Sequence, residues 1–306
     1  MTLAYLPRLL CVALACFCIV YTAVSILVLM SARPALAKVA TLTARSAAHF
    51  LFLLRSLPFA AAFLITVGIC LPSYLWFEPL GLHENVSAPF LVLGWFGAAE
   101  LGLAIGVMSR AAFRSVRFLR QCGESGTSGD GILIIESARP FLALAGILRP
   151  RVVMSQGILD LLSTDELHVV LKHEEAHRQS HDNLKRLWIE LNPTFPSLER
   201  AWTRFTEYAA DERAVAGDQR SALALASALV RVSRYGQQAA LQGAIPFLGD
   251  INDVPSRVER LLAPQPSITP DRTRWRDIVV ALCLAALTLN PATLRFVQST
   301  LESLIR

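Results

Sequence analysis

Three long stretches of this chain carry almost no charge. Leu9 to Met30 and Leu57 to Phe77 have none, and Val86 to Ser109 has only Glu100. Each exceeds the ~20 apolar residues that carry a helix across a bilayer core. The pattern predicts membrane helices at about residues 9–30, 57–77 and 86–109, within a membrane region 1–109. A shorter charge-free run, Ile278 to Leu294, is interrupted by Asn290-Pro291 and predicts a fourth span within residues 278–306. A run of ~17 residues crosses only with little tilt or local thinning.

Between the third and fourth runs the pattern changes. Residues 110–277 alternate short apolar runs with helical periodicity and are long enough for one compact domain. Gln121 to Gly131 is glycine- and serine-rich and reads as a flexible linker or turn. Ile132 to Ile135 and Arg151 to Met154 predict short strands. Ser163-Thr164-Asp165-Glu166 is a capping box, followed by Leu167, Val170 and Leu171 at helical spacing. That helix is expected to reach Leu191 and stop before Pro193. Further helices are expected from Pro196 to about Gly217, from Ser221 to Arg234, and from Pro255 through Leu262. Gly236 to Asp253 is ambiguous, a loop beside the functional site by position.

Composition agrees with a membrane protein: 54% of the 306 residues are hydrophobic and mean hydropathy is +0.46. Arg8 and Ala35-Leu36-Ala37 imitate parts of a signal peptide. The first apolar run is longer than the ~7–15 residues of a signal core, so an uncleaved membrane helix is expected. Arg33, Lys38, Arg45 and Arg55 follow the first span; Arg110, Arg114, Arg117 and Arg120 follow the third; Arg272, Arg274 and Arg276 precede the fourth. Glu78 and Glu84 lie in the loop after the second. The positive-inside rule then places the 110–277 domain in the cytoplasm of a multi-pass protein of the cell's inner (cytoplasmic) membrane. The net charge of +5 reads as topology and anionic-lipid contact, with the lipid bilayer as a partner and nucleic acid not expected. A phosphate-binding role for the Arg110–Arg120 face is a minor reading. The six cysteines, five of them in predicted spans, read as packing residues and not as disulfides or metal ligands.

The chemistry lies in His173-Glu174-Glu175-Ala176-His177, a His-Glu-x-x-His motif inside a predicted helix. Residues four apart share a helical face, so both imidazoles can hold one Zn²⁺. Glu174 is then the candidate general base acting on water. Glu207 and Asp211, again four apart, sit on the next predicted helix. A carboxylate from a separate helix completes a His₂Glu catalytic site, and Asp211 is placed to accept a hydrogen bond from a ligand histidine. His181 competes as third ligand, but on one straight helix it stands ~12 Å from His173, beyond the reach of one ion. Tyr208 and Arg213, near Glu207, are candidate oxyanion stabilisers, and Glu175 reads as structural. Glu100 raises a transporter reading, set against hydrogen bonding between helices.

Three apolar spans, Gly146, Pro150 before a strand, Leu167, the His-Glu-x-x-His motif, Asp182 and a late fourth span together resemble the integral-membrane zinc metallopeptidases of the β-lactam sensor-transducer type. The related heat-shock and CAAX-processing membrane gluzincins share His-Glu-x-x-His and the later Glu-x-x-x-Asp, and Arg257-Val258-Glu259-Arg260-Leu261-Leu262 resembles a recurrent segment near the domain's end. The resemblance implies a mainly α membrane protein with four transmembrane helices and a cytoplasmic α+β gluzincin-like zinc metallopeptidase domain. It implies zinc on His173, His177 and Glu207, with Glu174 catalytic. The sensor-transducers carry a penicillin-binding domain after the fourth helix; here about a dozen residues follow, so that sensor is expected to be lacking. The expected activity is zinc-dependent endopeptidase action in regulatory signal transduction, on a transcriptional repressor or a membrane protein. Membrane protein quality control and non-catalytic zinc-binding signalling are the alternative roles.

Overall fold

The computed structural model describes residues 2–3, 5–77, 84–129, 132–192, 194–241, 253–263, 295 and 299. The chain divides into two compact units, one including Met1–Ala35 and Leu53–Val107, the other including Leu36–Phe52 and Met108–Ile268.

In the first unit, β1 (Thr2–Leu3) pairs antiparallel with β2 (Glu84–Asn85). Helices α1 (Tyr5–Val39), α2 (Ala44–Ile65), α3 (Leu71–Phe77) and α4 (Ala88–Ser125) contain the three apolar runs, with a π-helical turn, Thr66–Cys70, joining α2 to α3. Three helical stretches, Tyr5–Val39, Ala44–Phe77 and Ala88–Cys122, are long and apolar enough to cross a membrane. Each is longer than its charge-free run, because the basic residues beside the runs continue the helices. The predicted fourth span, Ile278 to Leu294, lies outside the described residues.

Val12, Ala15, Cys70, Tyr74, Val86 and Phe90 form one apolar cluster of this unit. Gly97 lets α4 approach α1 closely: a Cβ there would stand 2.1 Å from the Leu14 carbonyl oxygen. Small residues serve this purpose where helices meet in lipid. The Glu100 side chain bonds Cys18 across the same pair of helices.

The second unit holds a four-stranded sheet built from β3 (Gly126–Gly129), β4 (Ile132–Ile135), β5 (Leu142–Ala145) and β6 (Arg151–Ser155), in the order β3-β4-β6-β5. β4 and β6 run parallel, while β3 and β5 flank them antiparallel. This corrects the expected flexible linker at 121–131: α4 continues to Ser125, and Gly126–Gly129 pairs with β4. Backbone pairing with a β-branched neighbour overrides a composition that favours loops. β5 was not expected either, since Leu-Ala-Leu-Ala has no β-branched residue.

Helices follow the sheet: α5 (Gln156–Leu161), α6 (Thr164–Ser180), α7 (Asp182–Ile189), α8 (Pro196–Val215), α9 (Gln219–Leu241) and α10 (Val254–Leu262). The capping box forms: Ser163 Oγ accepts from the Glu166 N–H at 3.3 Å, and Glu166 Oε2 accepts from the Ser163 N–H at 2.8 Å. Ser227 Oγ on α9 also donates to Glu166, at 2.6 Å. One apolar cluster joins Val169 of α6 to Ala214 and Val215 of α8 and Leu225 and Leu229 of α9. Another packs Leu142 and Met154 of the sheet against Ile158, Leu162, Ala228 and Val232. The helix carrying the histidines is thereby fixed on both sides.

The single helix expected from Ser163 to Leu191 is broken. His181 adopts a left-handed conformation, φ 56° and ψ 38°, ending α6 and starting α7. A non-glycine residue takes this conformation at a cost of ~1–2 kcal/mol. The redirected chain brings Asp182 back against α6.

Candidate metal centre

Glu207, on α8, meets the two histidines of α6. One donor atom from each of His173, His177 and Glu207 lies within 4.8 Å of the others. His173 Nε2 and His177 Nε2 are 3.0 Å apart; Glu207 Oε2 is 3.4 Å from the first and Oε1 3.6 Å from the second. Helical spacing places the imidazoles on one face, and the α6–α8 packing supplies the carboxylate.

The far nitrogens are held by carboxylates. His177 Nδ1 and Asp182 Oδ2 are 2.9 Å apart. Asp211 Oδ1 lies 2.9 Å from His173 Nδ1, within ion-pair reach but off the line of a straight N–H···O bond. Protons on both Nδ1 atoms leave the Nε2 lone pairs facing each other and the Glu207 carboxylate. Three converging electron-pair donors in that tautomer are arranged to hold a cation.

Local charge agrees. Arg257, from α10, donates Nε and Nη2 to Asp211 at 2.8 and 2.7 Å, and its Nη1 stands 3.0 Å from Glu207 Oε2. Lys185 pairs with Asp182 at 3.2 Å. Glu174, half-buried, acts electrostatically on His177 and on Arg257, which places it beside the same cluster. With neutral imidazoles, four carboxylates face two cations, leaving two negative charges that one divalent ion balances. Two nitrogens and a carboxylate oxygen are a donor set that zinc accepts.

The protonation tendencies follow. Burial opposes charge on His177, but Asp182 and Glu207 outweigh it and push the pKa up to about 10. Burial likewise opposes charge on His173, while Asp211 and Glu207 raise its pKa. Burial would raise Glu207, yet the two histidines and Arg257 hold it well below the usual carboxylate range. Asp211 is lowered despite burial, chiefly by Arg257 and His173. The cluster thus favours positive charge at its centre.

Other expected residues are placed elsewhere. Tyr208 donates its hydroxyl to Ser256 at 3.0 Å, with Arg260 stacked 5.0 Å from its ring centre. Arg213 reaches the end of α6, donating to the Ala176 carbonyl at 3.3 Å and Ser180 Oγ at 3.0 Å. Both candidate oxyanion stabilisers are therefore engaged in contacts that join helices. Glu175 pairs with Arg178 and Gln179 on the surface of α6. His181 is exposed at the α6–α7 break.

Two roles escaped the sequence. Asp182 was seen only as part of a resemblance, because its contact with His177 depends on the left-handed turn. Arg257 was seen in the same way. The signal that existed was an arginine four residues before Leu261, on the buried face of a short amphipathic helix. A ladder of contacts from α8 to α10 sets its register: Arg204–Asp253, Tyr208–Ser256, Arg257 to Asp211, and Arg260–Glu212.

Residues 124–272 match the model of peptidase family M48. That stretch, containing all the converging side chains, is similar to peptidases of that family, which are metal-dependent, and supports metallopeptidase activity here. The searches of curated proteins and of solved structures gave no match.

Proposed function

We propose that this chain is a membrane-embedded, zinc-dependent endopeptidase that cleaves a protein or peptide substrate in regulatory signalling. The observation that carries the reading is the convergence of His173 Nε2, His177 Nε2 and the Glu207 carboxylate, with a carboxylate at the far nitrogen of each histidine. His173, His177 and Glu207 would hold the ion. When bound, zinc supplies Lewis-acid polarisation of the scissile carbonyl and a lowered pKa for water. Glu174 takes the proton of the attacking water and delivers it to the leaving amine nitrogen. Asp182 and Asp211 hold the imidazoles in the tautomer that presents Nε2. Arg257 keeps Glu207 and Asp211 ionised and in place.

The domain is proposed to face the cytoplasm from the inner membrane. The basic segment after the first span supports one side for both basic flanks: Leu36–Phe52 folds into the same unit as Met108–Ile268. Within that unit Lys38 lies over the Phe50 ring at 5.5 Å. Kinship with the β-lactam sensor-transducers is part of this proposal.

Comparative proteomics tests the reading. Cells carrying the native chain are compared with cells carrying Glu174→Gln. A substrate is expected to accumulate uncut only in the variant; identical protein fragments in both would remove the endopeptidase assignment.

A further inference from the structure

A groove of about 330 Å³ lies in the second unit, away from the converging histidines. Its walls are Ala111 to Phe118 of α4, Ala143 to Ile147 at the end of β5, and Asn183, Arg186, Leu187 and Glu190 of α7. The volume falls in the range of small-molecule sites. Three features limit what it can take.

The first is charge. Arg114 and Arg186 line the groove from opposite walls, and Glu190 lies between their fields. One buried oxygen of Glu190, Oε2, has no hydrogen-bond partner among the described residues. Burial raises the pKa of Glu190 even though Arg114 and Arg186 act to lower it. The carboxylate is thus near two guanidiniums but bonded at Oε2 by neither. A ligand bearing an anion for the arginines and a cationic N–H donor for Glu190 satisfies all three groups.

The second is the state of the sheet edge. β5 is an outer strand, and its outward carbonyls would be needed by an extended peptide adding to the sheet. Asn183 Nδ2 already donates to the Leu144 and Gly146 carbonyls, at 2.9 and 2.7 Å. The groove is therefore closed to a peptide strand at this point.

The third is position and lining. The α4 wall begins two residues after the apolar run that ends at Ser109. At 1.5 Å per residue, residues 111–118 follow that run by ~3–13 Å, so the wall starts within a headgroup layer of ~5–7 Å and extends past it. Phe118, Leu144, Ile147 and Leu187 give the groove apolar walls. Leu148 beside it is 83% exposed, and Leu184 and Trp188 on α7 are 41% and 39% exposed. Exposed leucine and tryptophan among arginines suit a membrane interface, and a free phosphate ion makes no use of them.

We propose that the groove between α4, β5 and α7 binds the headgroup of an aminophospholipid, the phosphate between Arg114 and Arg186 and the primary ammonium on Glu190. The inference shares only the bilayer with the proposed function, and its test reads lipid retention, not cleavage.

The experiment is native mass spectrometry of the full chain in detergent. Phosphatidylethanolamine, phosphatidylcholine and phosphatidylglycerol are added separately, with inorganic phosphate and the unfolded protein β-casein as competitors. The native chain is expected to retain one phosphatidylethanolamine about tenfold better than phosphatidylcholine, whose trimethylated nitrogen has no N–H. Arg114→Gln with Arg186→Gln should lower retention about tenfold. Glu190→Gln should bring phosphatidylethanolamine and phosphatidylcholine to equal retention. Arg114, Arg186 and Glu190 are not among the core residues, and thermal unfolding reports folding of each variant. Equal retention of all lipids by native and variant chains, or displacement by inorganic phosphate or β-casein, overturns the proposal.

Discussion

Arg257 grips Asp211 with two parallel donors, Nε to Oδ2 at 2.8 Å and Nη2 to Oδ1 at 2.7 Å, across 46 residues of sequence. The same guanidinium reaches Glu207 at 3.0 Å. α10 thereby orders the carboxylates that face the histidines.

A lysine cannot reproduce this fork, because its ammonium is a point charge on a flexible stem. Arg257→Lys should fold and lose ~10–100-fold in zinc affinity, the usual effect of disturbing a group behind a metal ligand. Arg257→Ala leaves two carboxylates uncompensated and should destabilise the domain by ~3–5 kcal/mol. Chelator competition together with thermal unfolding separates the two effects. Native zinc affinity in Arg257→Lys would remove the positioning role.

His181 is predicted to matter for backbone and not for metal. His181→Gly relieves the left-handed strain and should raise stability by about 1 kcal/mol, while zinc content stays at the native level. Glu207→Ala should lose zinc. The reverse pattern of zinc loss would restore His181 as third ligand.

Glu166 ties the start of α6 to α9. Burial acts to raise its pKa, but Ser227, Ser163 and Arg231 outweigh it and hold it below the ordinary 4.5. A carboxyl depressed on folding contributes stability above its unfolded pKa, and that contribution is lost as pH falls through the lower folded value. Unfolding free energy should therefore decline below pH 4.5, and Glu166→Gln should flatten that part of the curve. The variant should also lose about 1 kcal/mol at neutral pH from the cap. An unchanged acid limb in the variant would assign acid sensitivity to other carboxyls.

Topology has a direct probe at Leu148, 83% exposed on the turn between β5 and β6. The described native cysteines are buried or half-buried. A Leu148→Cys chain in sealed cells should resist a membrane-impermeant maleimide and react after permeabilisation. Labelling in sealed cells would put the domain on the outer side.

The histidine pair, Glu207 and Asp211 were legible because two helices each present their chemistry at a four-residue spacing. β4 and β6 were legible from β-branched and apolar runs. β3 and β5 were not, since glycine, serine and alanine become strand only by pairing with neighbours. The break at His181 was hidden for a related reason: histidine is enriched in left-handed backbone, but such residues are still uncommon, so tertiary packing decides it. Arg257 was legible as a motif residue but not as a partner, because a contact spanning 46 residues leaves no periodic trace.

The central claim is that Glu174 moves protons while His173, His177 and Glu207 hold the ion. The most direct measurement is cleavage of the identified substrate by purified, zinc-loaded Glu174→Gln, alongside its zinc content. The account predicts one zinc per chain, an unchanged fold and a loss of ~10²-fold or more in cleavage rate, the range of general acid–base catalysis. Cleavage near the native rate by the folded, zinc-loaded variant would contradict it.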